Sequence, residues 1–143
     1  MQIKPETRAK LKELLIQDEG FRQFPYKDSV GKLTIGIGRN IEDRGISQDE
    51  AEYLLNNDIN HCLNDLEVSL PFFKDLDEPR KIVLLNMCFN VGIPTLMQFR
   101  KMRDAIEKHD YAEASKQMLD STWAKQVGHR ADRLAYIMEV GTL

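Results

Sequence analysis

The stretch Phe21-Arg22-Gln23-Phe24-Pro25-Tyr26-Lys27-Asp28-Ser29-Val30-Gly31-Lys32-Leu33-Thr34-Ile35-Gly36-Ile37-Gly38-Arg39-Asn40 decides the fold class of this chain. Phe24 and Tyr26 precede a turn-like Lys27–Gly31, and the β-type run Leu33–Gly38 follows it. That pattern predicts a hairpin with a loop of a few residues. No other segment carries a convincing strand signal, so the rest of the fold must be helical.

Working outward, Ala9, Leu11, Leu14, Leu15 and Ile16 recur at helical spacing behind Pro5, and Gly20 closes the run as a C-cap glycine. Downstream, Ser47-Gln48-Asp49-Glu50 is a capping box. Behind it Ala51, Leu54, Leu55, Ile59, Cys62, Leu63 and Leu66 mark one apolar stripe over about five turns. Leu70-Pro71-Phe72-Phe73 breaks that long helix. Asp77 is a candidate N-cap with Pro79 in the first turn of the next helix. The run Ile82–Val91 (IVLLNMCFNV) is apolar almost all round and predicts a central buried helix. Further helices are expected at about 95–107, 111–119, 122–126 and 130–139. The expectation is a small α+β domain, mostly helical, with one hairpin lobe.

Composition agrees with an ordinary globular chain of 143 residues, 42% apolar and 30% charged. No apolar run approaches the roughly 20 residues of a membrane span, so stable membrane insertion is not expected. The N-terminus lacks a signal-peptide pattern, because Lys10, Lys12 and Glu13 interrupt its apolar residues. Synthesis in the cytoplasm is therefore expected, with a separate exit route for any outside role. Residues 1–79 hold 10 Lys/Arg against 16 Asp/Glu, and residues 80–143 hold 10 against 7. That weak basic excess reads as a solvated surface, and no basic recognition helix points to nucleic acid. Cys62 and Cys88 lie in apolar helical patterns and read as buried reduced thiols. Neither they nor His61, His109 and His129 show metal-ligand spacing, so neither a metal nor another cofactor is expected.

Hydrolysis of a glycosidic bond needs one carboxylic acid to protonate the leaving oxygen and one carboxylate on the other face of the sugar. Glu19, at the C-terminal end of the first helix, and Asp28, nine residues on in the hairpin turn, are the candidates. Thr34, on the returning strand, is placed to share a water with Asp28. Gly36 and Gly38 would let backbone approach a sugar chain closely. Spacing alone leaves the plain alternatives open. Asp in a turn is usually a turn former, and a Glu before a C-cap glycine is usually solvated.

The strings themselves carry more. Asp18-Glu19-Gly20, Tyr26-Lys27-Asp28, Gly31 and Leu33-Thr34-Ile35-Gly36-Ile37-Gly38 resemble the active-site region of the T-even phage lysozymes, muramidases of glycoside hydrolase family twenty-four. The resemblance continues in Asp49-Glu50-Ala51-Glu52, in Leu85–Gly92, in Ser121-Thr122-Trp123 and in Arg130-Ala131-Asp132-Arg133. It is collinear over nearly the whole chain.

What it implies is a two-lobed lysozyme-like fold in a single domain, 1–143. A hairpin lobe (about 20–46) and a helical lobe (about 77–143 plus the N-terminal helix) would be joined by a linking helix (about 47–67). It implies an endolysin that hydrolyses the β-1,4 bond between N-acetylmuramic acid and N-acetylglucosamine with inversion. Glu19 matches the general acid, and Asp28 with Thr34 the water-holding pair; an inverting pair stands about 6.5–9.5 Å apart. Arg130 matches an arginine that orients the acid. Phe89 matches a cleft-lining aromatic, with a core role equally open. Asn90 is the better cleft candidate of the two helix asparagines, Asn86 and Asn90, both of which need partners. Gln117 falls where the family has a substrate-contacting amide, and Trp123 reads as a core anchor.

Two departures stand out. The segment from Arg39 to Ser47 is shorter than in the T-even enzymes, and Arg39 replaces a histidine that pairs with an aspartate at the Asp58 position, so an Arg39–Asp58 pair is expected. The implied partners are peptidoglycan strands and, for export of a monomeric enzyme, a holin-like membrane protein. Action in the periplasm or wall would follow release. Rival readings are a lytic transglycosylase on the same substrate and a non-catalytic wall-binding module.

Overall fold

The computed structural model describes residues 1–143. It is mostly helical with one small antiparallel sheet, as the α+β expectation requires. The chain forms two compact units, Met1–Glu52 and Tyr53–Leu143.

In the first unit, α1 (Pro5–Glu19) starts on its proline and stops at Gly20, whose positive φ turns the chain while its N–H still reaches the Ile16 carbonyl. Three strands follow, β1 (Arg22–Lys27), β2 (Leu33–Gly36) and β3 (Arg39–Asn40), in the order β1-β2-β3. Tyr26 stands opposite Thr34 and Lys27 opposite Leu33, with a register irregularity between Arg22 and Tyr26. Pro25 lies in that irregular stretch, where a residue without an N–H does least harm to a ladder. The strand expected over 33–38 ends early. Gly36 and Gly38 both take positive φ and turn the chain into β3, too short to announce itself by alternation. Asn40 then caps a one-turn helix, α2 (Ile41–Arg44), by accepting from the Asp43 N–H at 3.0 Å. The Ser47 capping box closes in both directions: the Glu50 N–H reaches the Ser47 hydroxyl and the Ser47 N–H reaches the Glu50 carboxylate.

That box opens α3 (Gln48–Ser69), inside which the boundary between the units falls. Only Cys62 and Leu66 of its apolar stripe are buried; Leu54, Leu55 and Ile59 are exposed. Leu70–Phe73 ends the helix as expected and leads into a single 3-10 turn, Phe73–Asp75, that buries Phe73. Asp77 caps α4 (Glu78–Val91), with Pro79 in its first turn. This helix is central, but only one face of it is buried. Val83, Leu84, Met87 and Cys88 go inward, whereas Ile82 and Phe89 are exposed.

The single helix expected over 95–107 is two, α5 (Ile93–Leu96) and α6 (Arg100–Glu107). Between them Gln98 and Phe99 make tight i−3 bonds to Thr95 and Leu96, and Phe99 leaves the helical region. No glycine or proline marks this break, so periodicity ran across it. Then come α7 (Tyr111–Leu119), α8 (Thr122–Val127) and α9 (His129–Val140), capped by Asp110, Ser121 and Gly128. α9 packs on α4, α7 and α8. Four of the six methionines, Met87, Met102, Met118 and Met138, are almost wholly buried here, filling space that branched chains fit less readily. Trp123 is buried at the edge of this core, edge-on to Phe99. The Cys88 thiol, buried beside Cys62, is pushed up to about 12, chiefly by desolvation.

One arginine ties the helix ends. Arg80 donates from Nε to the Met138 carbonyl (2.7 Å) and from Nη2 to the Glu139 carbonyl (2.9 Å). Its guanidinium lies 3.5 Å from the Tyr111 ring centroid and 3.2 Å from the Asp77 carboxylate. It thus satisfies carbonyls that the end of α9 leaves open.

Candidate active site

Three of the predicted residues lie in the hairpin unit. Glu19 is the last residue of α1, and its carboxyl group rests against Gly38 in the β2–β3 turn. A Cβ at Gly38 would come within 2.7 Å of Glu19 Oε2, so only glycine leaves the carboxyl in that place. Phe21 and Phe24, which follow Glu19 in the chain, are both 72% exposed.

Asp28 and Thr34 meet on one residue, Lys32. The Asp28 Oδ1 accepts from the N–H groups of Val30 (3.0 Å) and Lys32 (2.8 Å), while its own N–H donates to the Lys32 carbonyl. The Thr34 hydroxyl donates to the same carbonyl at 2.9 Å, and Thr34 is one of only two buried polar residues in the protein. Asp28 is therefore a turn former, as its residue type suggested, yet that task occupies one carboxylate oxygen and leaves Oδ2 unbonded within the chain. The Thr34 proton is committed to Lys32, so towards a ligand this hydroxyl is an acceptor.

Acidic residues of α2 brace the same spot. The Lys32 ammonium lies 3.3 Å from Asp43 and 3.4 Å from Glu42, and both hold its pKa above the ordinary lysine value, Asp43 the more strongly. The Leu33 N–H donates to Glu42. Arg39 pairs with Glu50, where Asp58 was expected. Its fork donates to Glu50 Oε1 at 2.9 Å and Oε2 at 2.6 Å, with a further bond to the Gly45 carbonyl. The capping box turns the Glu50 carboxylate back over Ser47, into reach of Arg39. That guanidinium holds the Glu50 carboxyl well below its usual range, at about 2.

The remaining candidates lie in the second unit and do not gather at one place. Arg130 donates from Nε to Asn86 Oδ1 at 2.9 Å, which gives Asn86 the partner a half-buried amide needs. Phe89 is 47% exposed, so it is no core residue. With Leu55, Ile59, Ile82, Leu85 and Arg130 it lines an open groove of about 500 Å³. Gln117 lines a different groove of about 640 Å³, beside Trp123, Arg100 and Lys101, and donates to Glu113 at 2.8 Å. Asn90 lines neither; its side-chain oxygen accepts from the Trp123 indole N–H at 2.8 Å. A buried indole needs an acceptor, and Asn90 is it.

The phage lysozyme family model matches residues 16–136 of this chain, which takes in the hairpin and the helices except most of α1 and the end of α9. The chain belongs to the phage lysozyme family. It is 30% identical to the probable T4-type lysozyme 1 of Dictyostelium discoideum, over 94% of this chain and 96% of that protein. It is similar as well to the pre-baseplate central spike protein of Enterobacteria phage T4 (28% identical, 92% of this chain and 28% of the relative). The SAR-endolysin of Escherichia phage Mu is 29% identical over 83% of this chain and 68% of the relative. As a phage lysozyme the protein is a glycoside hydrolase, a muramidase-type enzyme acting on peptidoglycan.

Sequence reasoning missed two parts of this lysozyme's hairpin site. One is Lys32, which joins Asp28 to Thr34 through main-chain atoms; no residue pattern signals a role played by a backbone carbonyl. The other is the partner of Arg39. The capping box did identify Glu50, but Arg44 is the basic residue nearest upstream of the box, so no local pattern singled out Arg39 as the partner.

Proposed function

We propose that this phage lysozyme is an inverting endolysin that cleaves the β-1,4 bond between N-acetylmuramic acid and N-acetylglucosamine, with Glu19 as general acid and Asp28 with Thr34 holding the attacking water. The observation that carries this reading is the shared seat of Asp28 and Thr34 on Lys32. Asp28 Oδ2 and Thr34 Oγ1 both act as acceptors, so a water between them gives a hydrogen to each and keeps a lone pair for the anomeric carbon. As the glycosidic C–O bond breaks, Glu19 gives its proton to the leaving oxygen. The water's oxygen bonds to the anomeric carbon and its proton passes to Asp28. No covalent enzyme intermediate is needed.

In the second unit we assign glycan contact to Phe89 and Gln117, each on an open groove. Asn90 supports such contact indirectly, by fixing the indole that borders the second groove. No helix is long and apolar enough to cross a membrane. This suits an enzyme made in the host cytoplasm as a monomer that reaches the wall through a lesion made by a holin-like partner. Lysis of producing cells only on co-expression of such a partner is the expected behaviour.

The decisive experiment is digestion of purified peptidoglycan with mass analysis of the products. Hydrolysis adds one water per cut and leaves a reducing muramic end, whereas an anhydro product would replace this reading with transglycosylation. Glu19→Gln is expected to lose about 10²–10⁴-fold in turnover without loss of fold. Wild-type turnover in that variant would remove Glu19 from the mechanism, and retained activity in Asp28→Ala would leave Asp28 a turn residue.

A further inference from the structure

The Arg39–Glu50 pair sits one residue from the glycine that seats Glu19, and nothing in the reaction as written uses it. Glu50 needs no arginine to close the capping box, and Arg39 is exposed enough to be solvated instead. Yet its guanidinium makes three bonds, two to Glu50 and one to the Gly45 carbonyl. A planar guanidinium held at three points fixes the backbone that carries it more tightly than a point charge does.

That backbone is β3, a strand of two residues with almost no ladder of its own. On one side Arg39 follows Gly38, whose missing Cβ leaves the space taken by the Glu19 carboxyl. On the other, Arg39 stands opposite Ile35 and Asn40 opposite Thr34. A shift of β3 therefore displaces the seat of the acid and the strand partner of the water-holding threonine together.

We propose that the Arg39–Glu50 pair is a positioning device for the reaction, holding the Gly38 turn against Glu19 and β3 against Thr34. This rests on the assignment of Glu19 as acid made above. Arg39 touches no reacting atom; it acts through Gly38 and Asn40. Its loss misplaces the acid by a fraction of an ångström, which lowers the rate of the chemical step and leaves binding of the glycan largely intact.

The test compares Arg39→Ala, Arg39→Lys and Glu50→Gln on purified peptidoglycan, with kcat, KM, the pH–kcat profile and the melting temperature for each. Arg39→Ala is expected to lose about 10- to 100-fold in kcat with KM nearly unchanged, and to change the pH–kcat profile. Arg39→Lys keeps the charge but not the fork, and is expected to recover melting temperature more than kcat. Asp77→Ala serves as control: it loosens the α4 cap, lowers the melting temperature and leaves kcat and the pH profile alone. If Arg39→Ala does not fold, Glu50→Gln gives the same reading, since its amide oxygen still caps Ser47 and accepts one Arg39 bond. Unchanged kcat and pH profile in the folded variants, with Glu19→Gln inactive, overturn the positioning role alone. Full activity of Glu19→Gln overturns the assignment of the acid and the positioning role with it.

Discussion

The two units of this lysozyme are held by different forces. Residues 53–143 close around an apolar core in which Leu66, Val83, Leu84, Met87, Leu96, Met118 and Met138 are shut off from solvent. Residues 1–52 bury a single side chain to that degree, and it is the hydroxyl-bearing Thr34. Their order comes from a capping box, two turns built on glycines, and ion pairs that link β2 to α2 and β3 to α3. Apolar packing is strong and without direction, whereas hydrogen bonds are directional and individually worth about 1 kcal/mol net. The proposed catalytic carboxylates both belong to the directional half. There, removing one polar atom should disturb chemistry before it disturbs folding; in the packed half, volume decides.

Four measurements sharpen that contrast, in order of expected size. Met87→Ala opens a hole among fully buried neighbours and is expected to cost about 2–5 kcal/mol in urea denaturation followed by Trp123 fluorescence. A cost under ~1 kcal/mol would mean that the core refills, and the contrast would weaken. Arg80→Ala strips the carbonyls of Met138 and Glu139 of their donors and removes the cation from the Tyr111 face, for an expected loss of about 2 kcal/mol by the same assay. Ser47→Ala, in the polar unit, removes one cap bond and should cost about 1 kcal/mol, read as faster amide exchange at Glu50.

The smallest effect is electrostatic. The Glu50 carboxyl is lowered from 4.5 to about 2 by its bonds to Arg39 and then Ser47, so the folded form binds its proton less readily than the unfolded form. Its contribution is complete above about 4.5 and disappears as the pH falls towards 2. A side-chain NMR titration should show a midpoint near 2, rising into the ordinary carboxylate range in Arg39→Ala. An unmoved midpoint would mean that Ser47, not Arg39, holds the charge.

Much of this was legible in advance, for reasons that follow the same divide. Helix ends declared themselves where a cap residue makes a local bond or a proline opens the first turn: Pro5, Gly20, Ser47 with Glu50, and Asp77 with Pro79 all act as their residue types suggest. The hairpin was legible because a turn and a β-rich run stand side by side. What escaped was set by longer-range geometry. The break after Leu96 contains no breaker residue, and the two-residue β3 exists only through its pairing with β2. Apolar composition also overstated burial, since α4 turns Ile82 and Phe89 outward. Among the site residues, Asp28 and Thr34 both bond to main-chain atoms of Lys32, a link that no residue pattern announces. Arg39 pairs with Glu50 instead of Asp58, because the cap had already aimed the Glu50 carboxylate at it.

The thiol of Cys88 has a practical corollary. Cysteine reacts with alkylating reagents as the thiolate, and a group pushed up to about 12 holds on the order of one thiolate in ten thousand at pH 8. Cys62 beside it is 8% exposed, which leaves a bulky reagent little approach. A cysteine introduced on the surface should therefore take a maleimide dye selectively, with both natural cysteines left in place. Fluorophores on the Val30 turn and on α9 would then report distances across the working enzyme without first rebuilding its core.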